Sequence, residues 1–443
     1  MALKFISKTT VLFRQCFAPT PDTMTHPIMK QKVCITTLEF PPDVGGVGES
    51  AYRIARMLLE LGYEVHVAVF RAVFRTEREK AQAGEYRRSS CQTIEQDGIS
   101  VHRLQPAIRS TLAKEQDYLS DLYLQLKSLH QHHQFDIFHA FFINETGFIT
   151  TLLARENAIP AINSVRGADL HKHIFSSQQH GHITWTLANS SWVTFVSKDL
   201  MNRARVLVPG LQEKSSAFWN SIAPIDFDSL PTPTLINQLQ GTVIGSVGNF
   251  RDKKGLEYLL DACRELCTQT ELTLLLVGDF VEKERGYWEQ ELHNSGISDG
   301  ASASAKGYRV LITGKISRKE ALAYLPHMDI FALPSVTDGC PNALLEAMLA
   351  SRAIVGTTVD AIGEILEDGV DALLVNPCSS EELTAALQTL ISQPTLRQHL
   401  GIAAQNKAFQ QLTPSVEQQH WEWVYQQVLG MPKLPAMSGI SFA

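Results

Sequence analysis

Two carboxylates in the second half of the chain have the spacing of a ligand-binding pair. Asp338 follows an apolar run that ends at residue 335, and Glu346 lies beyond seven intervening residues. Pro341 stands where a helix would begin, a position that needs no backbone donor. The first turn of such a helix offers free N–H groups and the positive end of a dipole, which hold anions. The pattern predicts a site for a nucleotide-diphosphate sugar, although an Asp338-Gly339 turn before a surface Glu346 would read the same way.

A glycine-rich loop near the start of the chain is a second candidate for contact with phosphate. Gly45, Gly46 and Gly48 separate a β-branched strand at 32–40 from an amphipathic helix that begins near residue 50. Glycine permits positive φ and lets a diphosphate approach the backbone. The spacing does not match the dinucleotide fingerprint, and Phe70 occupies the place of its acidic residue, so a dehydrogenase is disfavoured. Glycine turns before helices are also common in proteins that bind no phosphate.

Length and composition limit the class of protein. A chain of 443 residues with 44% hydrophobic and 19% charged residues is expected to fold into two or three globular domains. The net charge of −7 argues against nucleic acid as a partner. Seven scattered cysteines without a Cys-x-x-Cys pair support neither a zinc ribbon nor a disulfide framework. We therefore expect a cytoplasmic protein, and no apolar run reaches transmembrane length.

Strand and helix patterns alternate along both halves, which predicts an α/β protein with two Rossmann-like, doubly wound domains that face each other across a cleft. The predicted boundaries are a poorly ordered extension at 1–31, a first domain at 32–226, a linker at 227–241, a second domain at 242–412, a helix at 413–430 that crosses back to the first domain, and a tail at 431–443.

These motifs, in this order, resemble the retaining glycosyltransferases of family 4, which have the GT-B fold. The acidic pair matches their Glu, seven residues, Glu signature, with Glu346-Ala347-Met348 intact and Asp338 in place of the first Glu. Lys254-Gly255 matches their second-domain phosphate loop, whereas Asn249 stands where their Arg is usual and Arg251 follows two residues later. The resemblance covers about residues 32–430.

The resemblance implies a role for each matching position. The group assigned to catalysis comprises Arg251, Lys254, His139 and Asp338. The donor-binding group comprises Gly45, Gly46, Gly48, Lys315, Ile316, Gly339, Glu346 and Glu364. The group at the acceptor side of the cleft comprises Arg166 and Asp169. Because the cations would neutralise the leaving diphosphate, no metal and no cofactor are expected besides the donor substrate. His139 could instead be a core histidine.

The resemblance also implies the reaction and leaves alternatives open. It predicts transfer of a sugar to a saccharide, lipid-linked or small-molecule acceptor with retention of the anomeric configuration. The alternatives are a hydrolysing epimerase or phosphorylase on the same fold, and a non-catalytic protein that binds nucleotide sugars. The segment at 71–90 is rich in basic residues interspersed with acidic ones. We expect it to be a solvated surface segment, with peripheral contact with the inner face of a membrane as the alternative. We expect an exposed helix end, without a metal-ligand role, at His130, His132 and His133.

Overall fold

The structure is a computed structural model that describes residues 30–43, 45–71, 87–108, 115–294 and 308–430. The predicted extension lies almost entirely outside these residues, as do the tail and most of the basic segment at 71–90. The described chain from residue 31 onward forms one compact unit. It contains two β-sheets, each covered by helices, and the predicted pair of parallel-sheet α/β domains is confirmed.

The first domain is built from strands and helices that alternate along the chain. Its strands are β1 (Lys32–Thr37), β2 (Glu64–Phe70), β3 (Ser90–Gln96), β4 (Ile99–Gln105), β5 (Ile137–Phe141), β6 (Ala161–Val165), β7 (Trp192–Phe195) and β8 (Ser215–Ala217). Its helices are α1 (Gly46–Glu60), α2 (Glu115–His133), α3 (Glu145–Glu156), α4 (Ala168–His171), α5 (Ser177–Asn189) and α6 (Lys198–Leu207). The strand order is β3-β4-β2-β1-β5-β6-β7-β8, with all pairs parallel except β3 with β4.

The second domain repeats this architecture on a smaller sheet. Its strands are β9 (Thr242–Val247), β10 (Leu272–Val277), β11 (Tyr308–Ile312), β12 (Ile330–Leu333), β13 (Ala353–Thr357) and β14 (Leu373–Val375). Its helices are α7 (Leu256–Leu266), α8 (Arg285–Asn294), α9 (Arg318–Tyr324), α10 (Asn342–Leu349), α11 (Asp360–Ile365), α12 (Ser380–Ser392) and α13 (Pro394–Gln411). The strand order is β11-β10-β9-β12-β13-β14. Strand β10 is buried along its whole length, as expected of a parallel strand covered on both faces.

The last described helix, α14 (Pro414–Leu429), packs on the first domain. Trp421, Val424 and Tyr425 are fully buried in a core cluster with side chains of β1, β2 and α1. Glu417, one turn before Trp421, forms an ion pair with Arg53 of α1 at 2.7 Å. A helix that follows the second domain in sequence therefore completes the core of the first.

The histidines at the end of α2 differ from the prediction of an exposed turn. His130 is 8% exposed, and its Nδ1 accepts a hydrogen bond from the backbone N–H of Phe135. His133 is half-buried and lies against His66 of β2. The prediction was wrong because α2 packs its last turn against side chains of β2 and β5, a long-range contact that the local pattern does not contain. Only His132 is exposed among the three.

Candidate functional site

Two loops of the second domain meet at the carboxyl ends of β9 and β12. The first, residues 248–255, is the phosphate loop, and the second, residues 334–341, is the acidic loop. The backbone N–H of Val336 in the acidic loop donates to the carbonyl of Lys253 in the phosphate loop at 2.9 Å. In open α/β sheets ligands bind at this end of the strands, where neighbouring loops converge.

Asp338 and two lysines form the charged centre of this junction. Lys254 Nζ lies 2.5 Å from one carboxylate oxygen of Asp338, and Lys253 Nζ lies 3.4 Å from the other. Burial would raise the pKa of Asp338, but Lys254 and Lys253 lower it to about 2, so the carboxylate is ionised at neutral pH. Burial lowers the pKa of Lys253. Two ammonium groups against one carboxylate leave an excess of positive charge suited to an anionic ligand.

Two glycines allow the loops to approach so closely. Gly255 has φ +61°, and a Cβ there would collide with the carbonyl oxygen of Pro334 in the acidic loop. A Cβ on Gly339 would collide with the carbonyl oxygen of Arg166, at the end of β6 in the first domain. The acidic loop therefore contacts the first domain at Gly339. This close approach requires a glycine beside Asp338, whereas the alternative of a simple surface turn does not.

A hydrogen-bonded chain of side chains holds the acidic loop from its other side. The backbone N–H of Asp338 donates to Asp360 Oδ2 at 3.1 Å, and Asp360 Oδ1 lies 3.0 Å from Nε2 of His171 in the first domain. Asp360 opens α11 with φ +43°, a left-handed conformation that Asp tolerates better than most residues. The position of Asp338 therefore depends on groups from both domains.

Glu346 lies in the second turn of α10 and is 6% exposed. Its Oε1 accepts hydrogen bonds from Arg318, at 3.0 Å from Nε and 2.8 Å from the terminal nitrogen. Burial raises the pKa of Glu346, and Arg318 opposes this effect. Helix α10 begins at Asn342, one residue after the predicted Pro341, which occupies the N-cap. The Glu346 carboxylate thus lies beside the helix N-terminus and is held by one exposed arginine.

The predicted glycine loop of the first domain lies near Arg251, but only Gly45 precedes α1, because the helix begins earlier than predicted and includes Gly46 and Gly48 in its first turn. Glu39, at the end of β1, places its carboxylate over Gly45, where a Cβ would collide with it, and is hydrogen-bonded to the Gly48 backbone. Burial raises the pKa of Glu39, which Gly48 and the charge of Arg251 partly offset. A Cβ on Gly46 would meet open space. The loop therefore contributes a carboxylate near the cation of the other domain, a feature that the sequence reading missed.

The predicted base-contact residues lie at a neighbouring strand end. Lys315 is exposed and lies near Asp279, whose pKa is lowered by Arg285 first and by Lys315 as a further cause. Ile316 packs its side chain on the core cluster below α9 and α10. Gly314 precedes them with φ +67°. These residues border the Arg318 that binds Glu346, so they share one edge of the second domain with it.

His139 does not reach this site. It is fully buried in β5, its Nδ1 lies 3.0 Å from the Tyr425 hydroxyl, and its Nε2 lies 2.8 Å from the Ser164 hydroxyl. Burial, with the charge of Arg166, lowers the pKa of His139 to about 3. This geometry contradicts the predicted contact with a donor sugar, because both ring nitrogens bind groups of the protein. The cause is α14, whose Tyr425 covers the strand at that position.

Arg166 and Asp169 are neighbours in sequence but do not pair through their side chains. The Arg166 guanidinium donates to Asn220 at 2.6 Å and lies over the ring of Phe141 at 5.5 Å. Asp169 accepts from the backbone N–H groups of Ile143 and Arg166, at 2.9 and 3.3 Å. Burial raises the pKa of Asp169 to about 6 and, with the charge of Arg53, lowers that of Arg166 to about 10. Asp169 therefore orders the strand end.

Glu364 lies apart from the charged centre and joins the two domains. Its carboxylate accepts from the backbone N–H groups of Lys198 and Asp199, at 3.0 and 2.9 Å, in the first turn of α6. The indole N–H of Trp219 also donates to it at 3.2 Å. The carboxylate thus satisfies free donors of a helix N-terminus, and in this structure it is committed to the domain contact.

Cavity size does not by itself mark the site. A cavity of about 740 Å³ lies beside Trp219, Glu364 and Trp423, away from Asp338. A second, of about 440 Å³, is lined by Glu49, Arg318 and Asn342, and so opens next to the Glu346 pair. The charged groups and helix N-terminus favour the second region, although the first cavity is larger. Sequence reasoning had missed Lys253, Arg318 and Asp360, and of these only Lys253 carries a local signal, its position beside Lys254.

Two family models and several known proteins are similar to this chain. Residues 241–393 match the family model described as glycosyl transferases group 1, and residues 45–210 match the glycosyl transferase 4-like domain. The chain is 24% identical to the N-acetyl-alpha-D-glucosaminyl L-malate synthase of Bacillus anthracis over 90% of this chain and 98% of that protein. Its fold is similar to the sucrose-phosphate synthase of Thermosynechococcus elongatus, with a TM-score of 0.70 and 16% identity over 90% of this chain and 100% of that one. An Anabaena protein crystallised with UDP-glucose has a similar fold, with a TM-score of 0.67 and 18% identity over 90% of this chain and 100% of that one.

Two domains with largely parallel β-sheets covered by helices, together with the similar solved structures, identify the GT-B fold of glycosyltransferases, and the predicted fold is confirmed. The chain belongs to glycosyltransferase family 4, as the two family models show, and the protein is a glycosyltransferase.

Among the described residues, no helix combines the length and the apolar character needed to cross a membrane.

Proposed function

We propose that this glycosyltransferase takes its sugar from a nucleoside-diphosphate sugar, binds the diphosphate without a divalent metal and retains the anomeric configuration. The observation that carries the proposal is the pair of lysines, Lys253 and Lys254, held on Asp338 beside the N-terminus of α10. Cations and helix N–H groups fixed before the ligand arrives stabilise a leaving diphosphate without reorganisation. The UDP-glucose bound to the similar Anabaena protein supports the class of donor.

Each residue then has a role in the reaction. Lys254 and Arg251 stabilise the charge that develops on the diphosphate as its bond to the anomeric carbon breaks. The acceptor oxygen forms its bond on the same face of the sugar, and its proton passes to the departing phosphate oxygen. Asp338 positions the lysines and contacts the donor sugar, while Glu346 accepts hydrogen bonds from ribose hydroxyls. None of the carboxylates described above is placed as a covalent nucleophile in this scheme.

Binding of the donor is tested first. Purified protein is melted with UDP-, GDP- and ADP-sugars, in the presence of EDTA and again with added Mg²⁺. A ligand that binds only the folded protein raises Tm. We expect one nucleotide class to raise Tm to the same extent under both conditions and to have a much smaller effect on Glu346→Ala. A shift that requires Mg²⁺ would refute the metal-independent donor site.

Stereochemistry is tested with the nucleotide found in this way. The protein is incubated with that donor and a panel of saccharide, lipid-linked and small-molecule acceptors, and the product is examined by NMR. We expect the anomeric configuration of the donor in the product. A product of inverted configuration would overturn the mechanism, and phosphate-dependent release of sugar without an acceptor would favour the phosphorylase alternative. The name of the Bacillus anthracis relative, which describes an α-linked malate product, makes small carboxylic acids a sensible first panel.

A further inference from the structure

Three histidines from separate elements of the first domain converge where the end of α2 packs on the sheet. His66 belongs to β2, His102 to β4 and His133 to the last turn of α2. One ring nitrogen of each lies within 4.8 Å of the corresponding nitrogen of the other two. His66 and His102 are 3% and 1% exposed, and His133 is half-buried. The proposed transfer reaction uses none of these residues.

The outer ring nitrogens of the two buried histidines are held by oxygen atoms. Nε2 of His66 lies 3.0 Å from a carboxylate oxygen of Glu64, and Nδ1 of His102 lies 2.9 Å from the hydroxyl of Thr93. Their remaining nitrogens, Nδ1 of His66 and Nε2 of His102, face each other at 3.0 Å. Histidines that bind a metal are commonly oriented in this way, with the second nitrogen donating to a carboxylate or another oxygen.

The distances suit a tetrahedral ion after small rotations of the rings. Zinc binds histidine nitrogen at about 2.0–2.1 Å, which places two ligands of a tetrahedron about 3.3 Å apart. The facing nitrogens of His66 and His102 are already near that separation, and the ring centroids of His66 and His133 are 4.5 Å apart. The half-buried His133 is the ligand nearest to solvent, so an ion would enter on its side and a water molecule would complete the coordination.

We propose that His66, His102 and His133 form a binding site for a transition-metal ion of the zinc type. Three neutral imidazoles suit Zn²⁺ and its neighbours Co²⁺, Ni²⁺ and Cu²⁺ better than Mg²⁺ or Ca²⁺, which prefer oxygen ligands. The site would tie the end of α2 to β2 and β4. It is separate from the charged centre at Asp338, so it is a structural site and leaves the proposed metal-independent binding of the donor unchanged.

The same contacts also form a hydrogen-bonded network without an ion. Glu64 would then accept from His66, His66 would accept from His102, and His102 would accept from the Thr93 hydroxyl. Metal binding requires His102 Nε2 to lose its proton and the Thr93 hydroxyl to become an acceptor. The two states differ in metal content, which is measured without any assay of activity.

The test uses the full chain without an affinity tag, treated with a chelator and then dialysed against Zn²⁺ or Co²⁺. We expect one equivalent of tightly bound Zn²⁺ by elemental analysis, a higher Tm and a Co²⁺ absorption spectrum typical of four-coordinate nitrogen ligation. His133→Ala should lose the bound equivalent, whereas the exposed neighbour His132→Ala should keep it. Glu64→Gln should weaken Zn²⁺ binding about 10–100-fold.

The folding of each variant is checked by circular dichroism in the presence of chelator. If His133→Ala fails to fold, the graded weakening in Glu64→Gln and the loss of binding in His102→Gln provide the same information. Wild type that binds no equivalent of either ion, or binding that survives in His133→Ala, would overturn the site and favour the hydrogen-bonded network.

Discussion

The charged side chains of the two domains have different partners. In the second domain, Lys254 pairs with Asp338 and Arg318 with Glu346, all at the carboxyl ends of strands or in the first two turns of helices. In the first domain, Arg53 pairs with Glu417 of α14, and Arg166 bonds to Asn220. The former pairs lie where we propose that the donor binds, whereas the latter lie under the crossing helix. In this proposal, similar residue types serve donor binding in the second domain and hold α14 on the first.

This difference follows from how far apart the partners are in sequence. In the second domain the partners lie in loops that follow neighbouring strands of one sheet, and 84 residues separate Lys254 from Asp338. In the first domain 364 residues separate Arg53 from Glu417, which arrives after the whole second domain. The motifs of the second domain therefore indicate which of its charged residues lie close together. In the first domain, the C-terminal helix determines which polar groups remain accessible to a ligand.

The largest effect is expected at the anchor of the crossing helix. Glu417 is 2% exposed and accepts from Arg53, from the backbone and hydroxyl of Ser221, and from the indole of Trp421. Glu417→Gln leaves the half-buried Arg53 without its counter-charge, so we expect the free energy of unfolding to fall by about 3–5 kcal/mol. Urea denaturation measures this. Glu422→Gln on the same helix should cost no more than about 0.5 kcal/mol, and equal costs would contradict the anchor.

The next effect concerns the phosphate loop. If Lys254 stabilises the leaving diphosphate, Lys254→Ala should lower kcat about 10²–10³-fold at saturating donor, the effect of removing one preorganised donor from a developing charge. Lys253→Ala should lower kcat less, because Lys253 lies farther from Asp338, at 3.4 Å. Steady-state rates of both variants decide the matter. Equal losses would mean that Lys254 has no special position and that the two lysines act only as a diffuse charge.

A smaller effect is expected on donor affinity. Glu346→Gln should weaken binding of the donor by about 1.5–3 kcal/mol, since the hydrogen bonds from ribose hydroxyls would lose their charged acceptor. Arg318→Ala removes the present partner of Glu346 and leaves the carboxylate free for the ribose, so its loss should be smaller. Calorimetric titration with the donor compares the two. A greater loss in Arg318→Ala would show that the arginine, not Glu346, contacts the donor.

The parts of the structure predicted from sequence are those that local patterns determine. Alternating strands and helices were sufficient for the two-domain fold, and the capping box of Ser317 and Glu320 opens α9 as its spacing predicts. The junction of phosphate and acidic loops follows from parallel strands ending at one edge. For His139 the sequence left a core position open as an alternative but could not predict its contact with Tyr425 of α14, and the partial burial of His133 in the last turn of α2 was not predicted, because both result from tertiary packing. Glu39 was missed because the residues next to it in sequence do not indicate that its carboxylate lies over Gly45.

His139 shows how a residue of the first domain can be tested as part of its core. Its folded-state pKa is lowered to about 3, whereas an unfolded histidine titrates near 6.5, so between these values the unfolded chain binds one more proton. Stability must therefore fall as the pH falls from 6.5 towards 3, by up to about 1.4 kcal/mol per pH unit from this group.

His139→Gln keeps a polar side chain for Tyr425 and Ser164 but cannot bind the proton. We expect a constant difference in unfolding free energy above pH 7 and a slope below pH 6.5 that is shallower by up to one proton. Urea denaturation at each pH measures both. Parallel curves for wild type and variant would show that His139 binds its proton as readily in the folded protein as in the unfolded chain, which would contradict its place in the core.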